Sequence, residues 1–291
     1  MTLALLARTH PRVVDWGIQL DRAPAAGWLA LQAAALTPTW LWMARRMNDG
    51  SDDPLGLLAL ATLAAVAWTL RRDLRAAPRL GWLALAGIGT LAATLLRHGP
   101  NAWPTLPPLA AGLVAVLAMA AGLLAFLPRR LAALPLVGLA VLALPLLSSL
   151  QFYAGYPLRV VTAEASRWLL APAFSVAREG STLMIDGRLV IVDAPCSGVQ
   201  MAWFGYFSAC AVALWVRRSD RSFLARLPIV GLIVLAGNIV RNSVLVGFEG
   251  AGHALAPWLH EGLGLTLLAL VCGGIAWVMS RAASQGARHV A

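Results

Sequence analysis

Eight apolar runs follow one another along the 291-residue chain, separated by short polar segments. A helix that crosses a bilayer needs about 20 mostly apolar residues, so this repetition is typical of an all-α polytopic membrane protein. We predict spans near residues 26–43, 54–70, 80–97, 106–127, 131–150, 196–216, 227–248 and 258–279. The length favours a single integral membrane domain over residues 1–291. Six spans are the alternative, if the first two runs lie in the membrane interface.

One connection, residues 151–195, is long enough to carry an insertion with structure of its own. Its first half has an apolar stripe at helical spacing, formed by Val161, Ala165, Trp168, Leu169 and Pro172. This pattern predicts an amphipathic helix, extending to about residue 179, in the outer interface. The second half, STLMIDGRLVIVDAP, has two β-prone runs around Asp186-Gly187, which predicts a β-hairpin because both turn positions favour positive φ. The hairpin would lead directly into Cys196.

The charge pattern orients the bundle. The net charge of +10 comes from arginine, since the chain has no lysine, and the arginines form short clusters between apolar runs. Such clusters are typical of topology signals and do not indicate a nucleic-acid partner. Most of them fall on the inside if both termini are cytoplasmic, although Arg45 and Arg46 then lie outside. We therefore predict that residues 151–195 and the last loop face the periplasm.

The seventh run, LPIVGLIVLAGNIVRNSVLVGF, contains polar residues that are costly in lipid. Asn238, Arg241 and Asn242 are spaced i, i+3 and i+4 and thus share one helix face. A charged residue in a span costs roughly 2.5–3.5 kcal/mol on insertion scales, so it normally faces the bundle and has a function. At 1.5 Å per residue, Arg241 lies about 21 Å from Leu227, in the outer third of the membrane. The alternative is an arginine that snorkels to the outer headgroups.

The eighth run begins APWLHEGLGLTLL, with His260 in its first helical turn. Gly262 and Gly264 would let a neighbouring helix or a peptide approach closely. A histidine at this position could simply lie in the interface beside Trp258. His253, in the glycine-containing loop before the run, is the alternative acid/base residue.

Cys196 and His260 are thus predicted at the outer starts of their spans, and Arg241 in the outer part of its span, so that the three residues lie at the same level. A cysteine reacts as its thiolate, which a helix N-terminus or a nearby cation favours. Histidine transfers protons near neutral pH, and arginine offers several donors to an oxyanion. The three residue types therefore predict a cysteine acyl-transfer site that faces away from the cytoplasm. Supporting residues are expected among polar groups that need partners in lipid, namely Ser197, Gln200, Asn238, Asn242 and Glu249.

We find no cofactor-binding motif and expect no cofactor. Cys210 and Cys272 lie within apolar runs, where a free thiol is normally a packing residue. Cys196, His253 and His260 could in principle bind a metal ion. Three ligands without a carboxylate partner make a metal site the less favoured reading.

The segments LVIVDAPCSGVQ, GNIVRN and HEGLG, in this order, resemble the exosortase/archaeosortase family from about Gly180 to Gly264. The resemblance implies that Cys196 is the nucleophile, Arg241 the oxyanion or thiolate stabiliser, and His260 the acid/base. The offset of four between His260 and Gly264 favours His260 over His253. The residues that flank Cys-Ser-Gly here, Ala194-Pro195 and Val199-Gln200, depart from the family pattern. That departure leaves open which sorting signal is recognised and whether the chain is a divergent subtype.

The resemblance further implies a multi-pass transpeptidase or protease of the cell inner membrane, in bacteria that produce exopolysaccharide. Its substrates would be secreted proteins with a C-terminal signal, made of a short Pro-Glu-Pro-like motif, a spanning helix and a basic tail. Cleavage at the periplasmic face would pass the acyl group to an unknown acceptor or to water. Two rivals remain: a transporter in which Arg241 binds an anion, and a scaffold for polysaccharide export. No inverted repeat is visible to favour the transporter.

Overall fold

The computed structural model of the chain describes residues 24–50, 52–75, 77–98, 107–191, 198–252 and 256–281. These residues are mostly helical and include one small β-sheet. The helices are α1 Ala25–Ala35, α2 Thr37–Asn48, α3 Gly56–Thr69, α4 Leu80–His98, α5 Pro108–Phe126, α6 Ala133–Leu142, α7 Leu147–Leu170, α8 Val199–Trp215, α9 Asp220–Leu224, α10 Leu227–Gly250 and α11 Pro257–Ser280. The strands are β1 Val176–Glu179, β2 Thr182–Ile185 and β3 Arg188–Ile191.

Four helical segments in the described ranges are long and apolar enough to cross a membrane: Leu80–Arg97, Pro108–Phe126, Asp220–Gly250 and Pro257–Ser280. Helices α6 and α7 would make a fifth span if the bent pair counts as one. The apolar helices α1, α3 and α8 are shorter. A polytopic membrane protein is therefore supported, whereas the eight unbroken spans of the prediction are not reproduced in this form.

Two of the predicted spans are interrupted, in both cases near a proline. The run 26–43 divides at Leu36 into α1 and α2; Pro38 lacks an N–H, and the Thr37 hydroxyl donates to the Ala34 carbonyl at 2.7 Å. The run 131–150 breaks between α6 and α7, which are bent by 94° relative to each other. Pro145 lies in this break, and a residue that precedes proline disfavours the helical conformation.

Two compact units make up the chain. The first contains the described residues of Met1–Trp42 and Val66–Pro128, and the second those of Met43–Ala65 and Arg129–Ala291. In the first unit, α1 packs on α4 and α5 around Leu36, Ala93 and Ala115. Gln32 is a polar residue of this contact. Its Nε2 donates to the Ala118 carbonyl at 2.8 Å, so the amide has a partner within an apolar environment.

In the second unit, α8, α10 and α11 pack on one another, and α6 and α7 pack on this group. Glycines permit the close contacts: a Cβ on Gly205 of α8 would lie 2.5 Å from Cγ2 of Val234 on α10. Gly198 of α8 faces Asn238, so residue numbers rise on one helix as they fall on the other. Helices α8 and α10 are therefore antiparallel, as consecutive spans should be.

The sheet has the antiparallel order β1-β2-β3 and follows α7 directly. Strands β2 and β3 pair around Asp186 (φ 47°) and Gly187 (φ 82°). The apolar side chains of the sheet, Leu183, Ile185 and Val190, pack against Ala163 of α7 and Val246 of α10. The sheet thereby links the C-terminal part of α7 to the C-terminal half of α10.

The helix that we predicted within residues 151–195 differs from the observed one at both ends. Helix α7 begins at Leu147, inside the predicted fifth span, and ends at Leu170, just before Pro172. Val176–Glu179, which we placed in the helix, is instead strand β1 and pairs with β2. The expected exposed stripe is present, because Trp168 and Leu169 are exposed, while the opposite face of α7 is buried against α10.

The C-terminal end of α11 is capped by two arginine side chains distant in sequence. At the C-terminus of α11, Nε of Arg218 donates to the Met279 carbonyl at 2.7 Å, and Nε of Arg226 donates to the Val278 carbonyl at 3.2 Å. Cations at this end also oppose the negative end of the helix dipole. These contacts tie the cytoplasmic-side arginine cluster of the prediction to the last helix.

Candidate functional site

The head of α8 is a glycine in a left-handed conformation. Gly198 is the N-cap residue of α8, with φ 82°, and it is buried. A Cβ on Gly198 would lie 2.7 Å from Cγ and 2.8 Å from Nδ2 of Asn238 on α10. Only glycine combines this φ with so close an approach, so the Cys-Ser-Gly segment requires its third residue for the contact with Asn238.

Arg241 lies three residues after Asn238 on α10 and is half-buried. Its guanidinium rests against the backbone of α11: a Cβ on Gly264 would lie 3.3 Å from Nε and 3.5 Å from Nη2 of Arg241. We expected both Gly262 and Gly264 to serve close approach. Among the described residues, nothing lies within 4 Å of a Cβ on Gly262, whereas a Cβ on Gly264 would contact Arg241.

His260 lies in the first turn of α11, one turn before Gly264 and thus on the same helix face. Its backbone N–H donates to the Ala256 carbonyl at 3.1 Å, and its side chain is exposed. The structure therefore joins the head of α8 to the polar face of α10 at Asn238, and that face to the second turn of α11 at Gly264. The sequence predicted that these three elements would lie at the same level.

A row of buried hydrogen bonds joins α7 to the polar face of α10. Nδ2 of Asn238 donates to Oγ1 of Thr162 at 3.1 Å, and Nδ2 of Asn242 donates to Oγ of Ser166 at 2.9 Å. Ser243 donates from its hydroxyl to Ser166 at 3.0 Å. We call these five residues the polar ladder. None of them is more than 7% exposed. The two hydrogen bonds donated by the asparagine amides each join residues 76 positions apart.

Thr162, Ser166 and Ser243 were not among the site residues predicted from the sequence. The available signal was the spacing, because hydroxyls four residues apart on one helix match amides four residues apart on another. Partners at constant offset mean that α7 and α10 run in the same direction where the ladder joins them. Helices α8 and α10, by contrast, are antiparallel.

The sequence was compared with models of protein families. The family model described as transmembrane exosortase matches residues 42–277. The chain belongs to the transmembrane exosortase family. Comparisons with curated proteins and with solved structures give no match. Exosortases are generally peptidases or transpeptidases, and the apolar helices agree with a membrane-embedded member of the family.

Several residues that we expected in the exosortase site lie outside the described residues, namely Cys196, Ser197 and His253. Among the supporting residues, Asn238 and Asn242 are buried and hydrogen-bonded, as a polar group in an apolar environment requires. Gln200 and Glu249 are exposed, so burial gives no reason for a supporting role at these two positions.

The two other cysteines of the chain, Cys210 and Cys272, lie in apolar surroundings. Cys210 is buried against Gly138 of α6, and Cys272 is half-buried with Sγ 4.0 Å from the Phe204 carbonyl oxygen. Both are packing environments. Within the described ranges, no three His, Cys, Asp or Glu residues converge on a point that could hold a metal ion.

An apolar cavity of about 420 Å³ borders the polar ladder at Ser243, between α7 and α10. Its lining is formed by Leu169, Leu170, Ser243, Val244, Gly247, Phe248 and Ala251. A Cβ on Gly247 would lie 3.3 Å from Leu170, which shows how closely the two helices approach there.

Proposed function

We propose that this exosortase family member is a cysteine-dependent transpeptidase or peptidase of the inner membrane. Its substrates are secreted proteins held by a C-terminal signal of short motif, spanning helix and basic tail, and it cleaves them at the periplasmic face. One observation carries the proposal. Gly198, two residues after Cys196, packs on Asn238, one turn from Arg241, and Arg241 lies against Gly264, one turn from His260.

The reaction begins with attack by the Cys196 thiolate on the scissile carbonyl carbon of the substrate. A C–S bond forms, and the carbonyl π electrons move onto the oxygen, where Arg241 donates hydrogen bonds to the negative charge. The C–N bond then breaks, and protonated His260 gives its proton to the leaving amine. The product of this half-reaction is a thioester on Cys196 and a released C-terminal tail.

The second half-reaction regenerates the thiolate. Neutral His260 takes a proton from the acceptor, an amine or water, which attacks the thioester carbon. The C–S bond breaks and its electron pair returns to sulfur. The position of Cys196 before the N-terminus of α8 favours that anion, because the positive end of the helix dipole lies there.

The experiment uses a secreted reporter that carries the C-terminal signal of a protein from the same genome. The reporter is co-expressed with the full chain, and its size is followed in membrane fractions. We expect Cys196→Ala and Cys196→Ser to abolish processing while the enzyme still inserts at its normal level. Cys210→Ala is the matched control, since that thiol only packs, and it should process the reporter. Processing by Cys196→Ala at the wild-type rate would exclude the cysteine mechanism.

The same assay separates the rivals. His260→Ala should abolish processing and His253→Ala should not; the reverse result would transfer the acid/base role to His253. A transporter would respond to Arg241→Ala in anion uptake and would ignore Cys196→Ala. A scaffold for polysaccharide export would retain its function in all of these variants.

A further inference from the structure

We propose that Thr162 of α7 is a positioning residue that holds the Asn238 amide and, through it, Gly198 at the head of α8. The catalytic meaning of this inference rests on the proposed function. Thr162 lies 34 residues before Cys196 and outside the three sequence segments that define the candidate site. It is joined to the site by the hydrogen bond that it accepts from Asn238 of α10.

The contact geometry at Asn238 carries the inference. The three atoms nearest to a Cβ on Gly198 are Cγ, Nδ2 and Oδ1 of Asn238, at 2.7, 2.8 and 3.2 Å. The amide group therefore faces the Gly198 backbone. The same Nδ2 donates to Oγ1 of Thr162 at 3.1 Å. An amide that turned away from Thr162 would change its contact with Gly198 at the same time.

Burial makes this hydrogen bond hard to replace. Thr162 is fully buried and Asn238 is 2% exposed, so bulk water does not compete for the amide. A hydrogen bond in an apolar environment is stronger than one in water, and it restricts the side chains that make it. The hydroxyl of Thr162 thus restrains the amide to which the head of α8 is fitted.

Ser166 provides a matched comparison within the polar ladder. It lies one turn after Thr162, is equally buried, and accepts a similar hydrogen bond from Asn242 at 2.9 Å. The side-chain atoms nearest to Gly198 belong to Asn238, not to Asn242. Both hydroxyls join α7 to α10, but only that of Thr162 bonds the amide under Gly198.

The test compares Thr162→Val, Thr162→Ser and Ser166→Ala in the full-length protein, with the tailed reporter described above as the probe. Single-turnover cleavage rates, reporter capture and thermal unfolding midpoints are measured in parallel. We expect Thr162→Val to slow cleavage about 10- to 100-fold, because small displacements of reacting groups have effects of this order. Capture should stay within about twofold of wild type on the same reasoning, since positioning affects the chemical step. Thr162→Ser should restore the rate, and Ser166→Ala should lower the unfolding midpoint with a normal rate.

Three results would overturn the proposal: a normal rate in Thr162→Val, an equally slow Thr162→Ser, or an equally slow Ser166→Ala. Failure of the proposed function is recognised separately, because the wild type and Cys196→Ala would then leave the reporter equally intact. In that event the positioning role of Thr162 is tested by the rate at which N-ethylmaleimide alkylates Cys196. The measurement uses chains that also carry Cys210→Ala and Cys272→Ala. A rate changed by Thr162→Val and restored by Thr162→Ser supports the positioning role, and equal rates exclude it.

Discussion

Gly262 and Gly264 illustrate how much depends on single positions at the residue scale. They are two residues apart on α11, but only a Cβ on Gly264 would meet Arg241. The sequence alone treats the two glycines alike, since both lie in an apolar helix near His260. The difference arises because only Gly264 faces α10. The helix period gives the angle between the two glycines, but it does not say which of them faces a neighbouring helix.

This difference yields a matched pair of variants. We expect Gly264→Ala to displace the Arg241 guanidinium and to slow reporter cleavage about tenfold or more, as misplaced donors in an oxyanion site do. Gly262→Ala should leave the cleavage rate unchanged, because its methyl group meets only open space among the described residues. Single-turnover rates of the two variants provide the measurement. Equal rates would show that Arg241 is not held in position by the Gly264 contact.

A second prediction concerns the left-handed glycines. Gly198 and Gly187 share a φ of 82°, yet Gly187 has no neighbour within 4 Å of a Cβ in the described structure. Alanine at either position costs about 1–2 kcal/mol of backbone strain. We expect Gly187→Ala to lower the unfolding midpoint by a few degrees with normal cleavage. Gly198→Ala should lower it further and abolish cleavage, because its methyl group would also collide with Asn238.

The site was predictable to the extent that its residues stand out from their surroundings. Arg241 and Asn238 interrupt an apolar run, so the cost of burial indicates a function for them. Thr162 does not stand out in the same way. A threonine hydroxyl can satisfy itself on the carbonyl four residues earlier in its own helix, so its presence in an apolar helix predicts no partner. Its role became visible only with the hydrogen bond to Asn238.

At the scale of elements, hydropathy located the apolar segments but not the bends within them. Residues 131–150 form a continuous apolar run, and the chain nevertheless turns by 94° between α6 and α7. Pro145 was the available signal. The start of α7 at Leu147 could not be read from composition, because it depends on a side chain from a distant segment: Oδ1 of Asp52 accepts the backbone N–H of Ser148 at 3.3 Å.

The arginine cap of α11 gives a prediction at this scale. Arg218 is 9% exposed, and it donates to the Met279 carbonyl and to the Ser222 hydroxyl. Hydrogen bonds from a charged group contribute about 1.5–3 kcal/mol, so Arg218→Ala should lower the thermal unfolding midpoint in detergent by several degrees. Arg221→Ala, at an exposed position of α9, is the charge-matched control and should unfold as wild type does. Equal midpoints in both variants would contradict the role of the cap.

At the scale of the whole molecule, the family match and the apolar helices agree with the polytopic architecture predicted from the sequence. The arginine distribution adds an orientation. The turn before α9 contains Arg217 and Arg218, whereas residues 242–256, at the end of α10 and after it, contain no arginine or lysine. The positive-inside rule therefore predicts a cytoplasmic α9 and a periplasmic end of α10.

Cysteine labelling tests this orientation. Ser219 and Ala251 are exposed and lie near opposite ends of α10. In chains with Cys196→Ser, Cys210→Ala and Cys272→Ala, we expect Ala251→Cys to react with a membrane-impermeant maleimide in intact cells from which the outer membrane has been removed. Ser219→Cys should react only after the inner membrane is permeabilised. The opposite pattern would place the candidate site on the cytoplasmic side and exclude cleavage of secreted proteins there.

The constant offset of the polar ladder has a consequence for biosynthesis. Thr162 and Ser166 leave the ribosome 76 residues ahead of Asn238 and Asn242, from which their hydroxyl oxygens accept hydrogen bonds. Until then, each hydroxyl can bond to a carbonyl of its own helix. The asparagine amides beside Arg241 need partners once their helix is in lipid. Translation order thus delivers Asn238 and Asn242 to a bilayer in which the hydroxyls that accept their hydrogen bonds are already present.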